Sequence, residues 1–393
     1  MNQTGTNISR LIAIVVAAVL LALPPDSFAQ VPKVSLIVCD PGSEIYELEG
    51  HAALRLNSTA QGGDDITVNW GLFDFNTPNF VYRFVKGETD YMAGAIPTYY
   101  FVASYAAAGR GVREYPIDLT DEQALVVDSL VRRNLLPANR VYRYNYVRDN
   151  CSLRPVAIVE RALADTLPLG QHPLFGAAPT FRQAMRHYHA NYPWYQFGID
   201  LALGTGIDQR EDGRAMSFAP AALADMLEHS GMPYQQLAPA GAGGPLGPTP
   251  WPLRPLTVCW TFFAITALIT VRDLRRHRVT RWFDSAFYAL AGLAGCLVFF
   301  LIFVSEHEAT SPNWIGLWLN PFALIMAVGI WLKKSKCVLI PYQIANFGAL
   351  IALLAIWIAG VQSLNSAFLP LILCDMARSA SYLVNTKWSN ATN

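Results

Sequence analysis

A chain of 393 residues, 53% of them hydrophobic and only 15% charged, is too long for one ordinary compact core and divides into at least two units. Its 29 Lys and Arg are matched by 29 Asp and Glu, a formal net charge of zero, and no basic stripe interleaved with aromatics occurs in the polar two thirds, which excludes nucleic acid as a partner class. Long apolar runs dominate after about residue 255, so a globular part is joined to a membrane part.

In chain order, Arg10, the uncharged run from Leu11 to Leu23, Pro24-Pro25 and the ending Ser27-Phe28-Ala29 make up the three parts of a secretory signal over residues 1–29. Its apolar core is shorter than a spanning helix needs. Cleaved or retained as an anchor, the signal places the next segment, a domain over residues 31–238, outside the cytoplasm. Lys33 to Cys39 is apolar and β-branched and reads as a strand, followed by a turn at Pro41-Gly42 and a short helical piece over 43–49. A strand over His51 to Leu56, a loop at Gln61 to Asp65 and a strand over 66–71 form an antiparallel hairpin. Thr120 with Gln123 is a capping box that opens a helix to about Asn134. Tyr142 to Val147 alternates aromatic and polar residues as a strand does. Asp149-Asn150-Cys151-Ser152-Leu153-Arg154-Pro155 leads into a helix of roughly 152–164. Pro155 belongs in a first helical turn, where its missing N–H would have no partner, and so puts Cys151 at the helix N-terminus.

A Pro/Gly/Ala-rich linker over 239–254 joins this domain to a membrane region over 255–393. There, four apolar stretches at 255–271, 285–304, 313–332 and 337–361 each approach the ~20 residues that cross the hydrocarbon as a helix. Arg272, Arg275, Arg276, Arg278 and Arg281 lie between the first two, and Lys333, Lys334 and Lys336 between the last two, whereas the intervening loop holds Glu306 and Glu308. The positive-inside rule therefore puts the first domain on the outer face, in agreement with the signal. The segment 366–374 is interrupted by Asp375 and Arg378 and is too short to assign as a span, so a re-entrant or interfacial piece is expected.

Only Cys39 and Cys151 fall in the exported domain, and a bridge between them is the rival to any role for a free thiol. As a free residue, Cys151 is a candidate nucleophile, because helix N-termini and cationic imidazoles lower a thiol pKa. Among His51, His172, His187, His189 and His229, His51 is the best candidate base, since it opens a core strand directly after Gly50. Asn69, on the adjoining strand, is the first choice to orient the imidazole, and Asp74 the second. The backbone N–H of Cys151 would serve an oxyanion, with Asn150 beside it. Arg154 either holds a phosphate or pairs with Asp149. Glu306 and His307 either line a lipid path or belong to a solvated turn.

Gly50-His51-Ala52-Ala53-Leu54-Arg55, the run from Asn69-Trp70-Gly71 to Asn79-Phe80, Lys86-Gly87-Glu88-Thr89-Asp90-Tyr91 and Arg143-Tyr144-Asn145-Tyr146 through Asp149-Asn150-Cys151 resemble the periplasmic domain of the Lnb lipoprotein N-acyltransferases of Bacteroides-type bacteria. The resemblance spans about 33–200. It implies an α+β, permuted papain-like (NlpC-type) thiol domain, with His ahead of Cys as in the lecithin–retinol acyltransferase group, followed by an α-helical transmembrane bundle. It implies Cys151 as acyl-accepting nucleophile and His51 as its base. The activity implied is transfer of an acyl chain from a phospholipid to the α-amino group of the lipid-modified N-terminal cysteine of lipoproteins, at the bacterial inner membrane. The implied partners are a phospholipid donor, a lipoprotein acceptor and membrane lipids, with no metal and no cofactor. The alternatives are a membrane-anchored NlpC-like peptidase or amidase acting on the cell wall, for which four spans are more than an anchor requires, and a non-enzymatic module with Cys151 as a packed core thiol.

Overall fold

The structure is a computed structural model that describes residues 31–391, and the signal expected over 1–29 lies outside them. The first domain is built on a seven-stranded sheet in the order β6-β4-β3-β2-β1-β5-β7, with every neighbouring pair antiparallel. Its strands are β1 (Lys33–Cys39), β2 (His51–Asn57), β3 (Asp65–Leu72), β4 (Asp90–Pro97), β5 (Val112–Pro116), β6 (Val141–Arg143) and β7 (Gln235–Ala238). The helices among them are α1 (Phe80–Lys86), α2 (Thr98–Ala107), α3 (Asp121–Leu135), α4 (Leu153–Leu163), α5 (Phe181–Tyr188), α6 (Pro193–Ala202) and α7 (Pro220–His229).

The period-two pattern of the strands decides which side chains meet. Val34, Leu36 and Val38 of β1 and Ala52, Leu54 and Leu56 of β2 point to a core closed by Val127 and Val131 of α3, Val156 and Val159 of α4, and Leu223 and Leu227 of α7. The alternate residues, Ile37, Cys39 and Ala53, face Phe101 of α2. His51 and Asn69 lie on this second face, because Cys39 pairs with His51 and Ala53 with Asn69 in register. Thr120 and Gln123 form both halves of the capping box that starts α3. Two local expectations change. Residues 43–49 form bends and turns rather than a helix, and the strand after Arg140 stops at Arg143, since Asn145 bridges to Asp149 and turns the chain toward Cys151.

The second domain consists of α8 (Pro255–Arg276), α9 (Arg281–Phe303), α10 (Ala323–Gly329), α11 (Lys336–Ile358) and α12 (Phe368–Ala391). Three of these, α8, α9 and α11, are long and apolar enough to cross a membrane. The stretch 313–332 is not one helix. Asn313 caps a 3₁₀ turn at Trp314–Leu317, Pro321 follows, and α10 is only seven residues long. Residues 366–374 instead open the 24-residue helix α12. Asp375 and Arg378 do not break it, because each has partners inside the bundle. Arg378 donates to Asp284 of α9 at 2.6 Å and to Asp273 of α8 at 2.7 Å, while Asn346 of α11 donates to Asp375 at 2.7 Å. Buried ionic groups are tolerated when paired in this way, and removing one member leaves the others uncompensated. Arg378→Leu is therefore expected to destabilise the bundle by about 3–5 kcal/mol, read as a lowered unfolding midpoint in detergent, with the exposed Arg275→Leu as the unaffected control.

The two domains are locked together. The Ser305–His307 turn after α9 binds the carbonyls at the end of α1: the Glu306 N–H donates to Lys86 at 2.7 Å, the Ser305 hydroxyl to Val85 at 2.9 Å, and His307 Nε2 lies 2.7 Å from the Phe84 oxygen. Asn313 donates to the Leu201 carbonyl at 3.0 Å, Arg186 to the Ser363 hydroxyl at 2.8 Å and Asn365 to Asp200 at 2.9 Å. The first domain is thereby fixed at one end of the helical bundle.

Candidate active site

His51 begins β2 because Gly50 supplies a turn at φ +84°, where a Cβ would stand 2.6 Å from the Cys39 carbonyl oxygen. The strand then holds the imidazole rigidly. Its ring stacks on Tyr105 at 6.2 Å between centroids, with Phe101 at 6.4 Å. Nε2 lies 3.0 Å from Asn69 Oδ1, and Asn69 is itself buried. With that oxygen accepting, the ring proton sits on Nε2 and Nδ1 is the basic nitrogen. Burial lowers the His51 pKa, the Asn69 contact opposes this, and Arg110 adds to the lowering. The imidazole is therefore neutral at pH 7, the form a general base needs.

Cys151 is free, as is Cys39, so the bridge between them is not formed. It lies just ahead of α4 and is only 9% exposed. Its thiol comes to the start of β2 and the end of β3. The backbone N–H of Ala52, next to His51, the hydroxyl of Tyr144 and the N–H of Cys151 itself all face the sulfur. A Cβ on Gly71 would touch both Tyr144 and the Cys151 Cβ, at 3.1 and 3.7 Å, so this glycine admits the pair. Burial pushes the thiol up to about 11, and the three donors oppose this. Desolvation thus moves the thiol opposite to the lowering expected from its place at a helix N-terminus. The resting pair is a neutral thiol and a neutral imidazole.

Asn150 is 2% exposed and its amide is fully used inside the protein. Oδ1 accepts from the N–H groups of Ser152 and Leu153 at 2.9 and 3.0 Å, and Nδ2 donates to the carbonyls of Tyr146 and Phe218 at 2.7 and 2.8 Å. It caps α4 and anchors the loop that carries the thiol, so it is a positioning residue and not a substrate contact. Asn150→Ala removes a cap and strands two buried carbonyls, an expected loss of about 2–4 kcal/mol, measurable as a lower thermal midpoint together with slower turnover. Arg154 makes a two-pronged ion pair with Asp149, both bonds 2.6 Å, and lies over the Tyr142 ring. This is the pairing alternative and not a free phosphate clamp. Asp74 closes an exposed turn on Asn76, so Asn69 alone of the two contacts His51. Glu306 and His307 make the interdomain contacts described above, and the Glu306 carboxylate stays exposed, 3.6 Å from Arg143.

Two residues of the site lay outside the sequence expectations. Tyr144 brings its hydroxyl to the sulfur and stacks on Tyr91 at 4.4 Å. The alternating Tyr142, Tyr144 and Tyr146 just ahead of Cys151 were the available signal. Glu49, 8% exposed, is raised to about 7 by burial, with the Tyr146 hydroxyl opposing, and its Oε1 has no hydrogen bond. His189 Nε2 stands 3.7 Å from that oxygen.

Residues 26–186 match the family model described as the Lnb N-terminal periplasmic domain, and residues 248–389 match the Lnb transmembrane domain. No curated protein and no solved structure matches the chain. With both models matched in order over most of its length, the chain belongs to the Lnb family, with a periplasmic domain followed by a transmembrane domain.

Proposed function

We propose that this protein is a lipoprotein N-acyltransferase of the bacterial inner membrane, moving an acyl chain from a phospholipid, through a Cys151 thioester, to the α-amino group of the diacylglyceryl-cysteine that begins a lipoprotein. The observation that carries this reading is a buried thiol that faces the N–H of Ala52, the residue after the Asn69-held His51, in a domain fixed onto membrane helices. Both substrates are anchored in the bilayer, and only an enzyme held at its surface meets both. The basic loops at 272–281 and 333–336 place the thiol domain on the periplasmic side.

In the first half-reaction, Cys151 Sγ attacks the ester carbonyl as its proton passes to His51 Nδ1. The N–H groups of Cys151 and Ala52 and the Tyr144 hydroxyl, which face the sulfur, stabilise the oxyanion as it forms. Collapse breaks the C–O bond, and the departing lysophospholipid oxygen takes the proton from His51. In the second, the lipoprotein amine attacks the thioester. An α-amino group has a pKa of about 7.7–8.0, so a useful fraction is already neutral at pH 7 and His51 has only to accept the proton it sheds as the amide forms. The C–S bond breaks and the thiol regains its proton. Burial of the sulfur keeps water from the thioester between the two steps.

The test is intact-protein mass spectrometry after mixing with phospholipid vesicles. The result expected is an increment of one acyl chain on Cys151, released by hydroxylamine. Lipoprotein acylation without such an adduct would overturn the covalent route.

A further inference from the structure

The exported domain carries a continuous line of aromatic rings. It begins where α1 meets the membrane helices: Tyr82 lies 6.1 Å from Phe300 in the last turn of α9, and Val81, Tyr82 and Phe84 are exposed. From Phe84 the rings continue through Phe80 at 6.0 Å, Phe73 at 5.8 Å, Tyr91 at 5.3 Å and Tyr144 at 4.4 Å. Tyr144 faces the sulfur of Cys151. Phe75, 60% exposed, flanks the middle of the line, 4.7 Å from Phe73 and 5.1 Å from Phe80. Charged side chains beside it are engaged elsewhere, Arg83 with Asp90 at 3.1 Å, Arg143 with Glu306 at 3.6 Å, and Asp74 with the Asn76 amide groups at 2.8 and 2.9 Å.

A contiguous apolar strip on a domain surface marks a binding site. Its two ends identify the ligand. One is continuous with the contact between α1 and the end of a membrane helix, and the other is the nucleophile. We propose that this aromatic track holds one hydrocarbon chain of a membrane lipid and leads its ester carbonyl to Cys151. The inference rests on the acyl-transfer reading and adds to it the route by which the donor reaches the thiol. The physical need is plain. A chain lifted from the bilayer to a sulfur outside it would expose each methylene to water unless protein surface replaced the lipid it left. Aromatic rings supply that surface with little side-chain entropy to lose.

The test uses full-length Cys151→Ala protein, which cannot be acylated, in vesicles of phosphatidylethanolamine carrying a photoreactive diazirine either near the ester or at the chain end. The expected result is labelling of Tyr91 and Tyr144 by the first probe and of Phe80 and Phe84 by the second. Phe75→Asp, an exposed position where the fold tolerates charge, is expected to cut labelling of the track about tenfold or more by setting a carboxylate against hydrocarbon, and Phe75→Leu to restore it. Labelling that stops at Val81, Tyr82 and Phe84 would make α1 a simple interfacial helix and overturn the proposal, as would indifference to Phe75→Asp. A labelled track in a protein that transfers no acyl group when Cys151 is present would instead remove the proposed reaction and leave the lipid site standing. Normal acyl transfer with an unlabelled track would remove the track alone.

Discussion

Cys151→Ala is expected to lower acyl transfer roughly 10³-fold or more, with little change in folding, since the substitution exchanges a buried thiol for a methyl group. The other thiol of the exported domain does not substitute for it. Cys39 is fully buried in β1 and its thiol pKa is pushed well above the ordinary value by that burial. Cys151→Ser keeps the geometry but offers a hydroxyl, a far weaker nucleophile toward an ester when its only activation is a neutral imidazole. The measurement is N-acylation of a diacylglyceryl-cysteine peptide by the protein in phospholipid vesicles, followed by mass spectrometry. Wild-type-like turnover of the alanine variant would reduce Cys151 to a packing residue.

His51 should reveal itself in the pH profile. The active base is the neutral imidazole, and burial, the largest influence on it, depresses its pKa below the ordinary 6.5. Acylation of Cys151 by the donor lipid, the half-reaction that does not involve the amine, is therefore expected to hold as pH falls from 8 to 6.5 and to be lost only at lower pH, as the ring gains its proton. Asn69→Ala removes the contact that favours the charged ring. The acid limb should then move further down, while the maximal rate falls on the order of 10- to 100-fold because the tautomer is no longer held. Glu49 titrates in the same range, raised to about 7 by burial, and its negative charge raises the thiol. The profiles are best compared in a Glu49→Gln background, where that second ionisation is absent. An acid limb above 6.5 in that background would contradict the assignment of His51.

The central hairpin was readable because its residues alternate in part and a loop of polar and glycine residues separates them, so Asn69 could be put beside His51 from strand pairing alone. The helix start at Cys151 was readable from Pro155. Other features required the folded chain. Hydropathy misread two segments of the membrane region, because it scores residues without their partners. Asp375 and Arg378 look like interruptions until Asn346, Asp273 and Asp284 are seen to bind them. The stretch 313–332 reads as one continuous helix, whereas the chain is broken at Asn313, which holds the exported domain through the Leu201 carbonyl, before it runs on to Trp331 beside Trp282 at the far end of α9. The thiol pKa went the other way from its local expectation because a helix N-terminus is visible in sequence and the depth of burial is not. Asn150 looked like a site residue for its position next to the nucleophile, whereas its four hydrogen bonds all face inward.

The acyl group on the sulfur is the central intermediate of the proposed reaction. Protein acylated on Cys151, freed of donor lipid and mixed with a diacylglyceryl-cysteine peptide, should lose its acyl chain at the same rate as N-acyl peptide appears, and should keep it when the peptide amine is blocked. Acyl loss to water alone, with no N-acyl peptide formed, would contradict it.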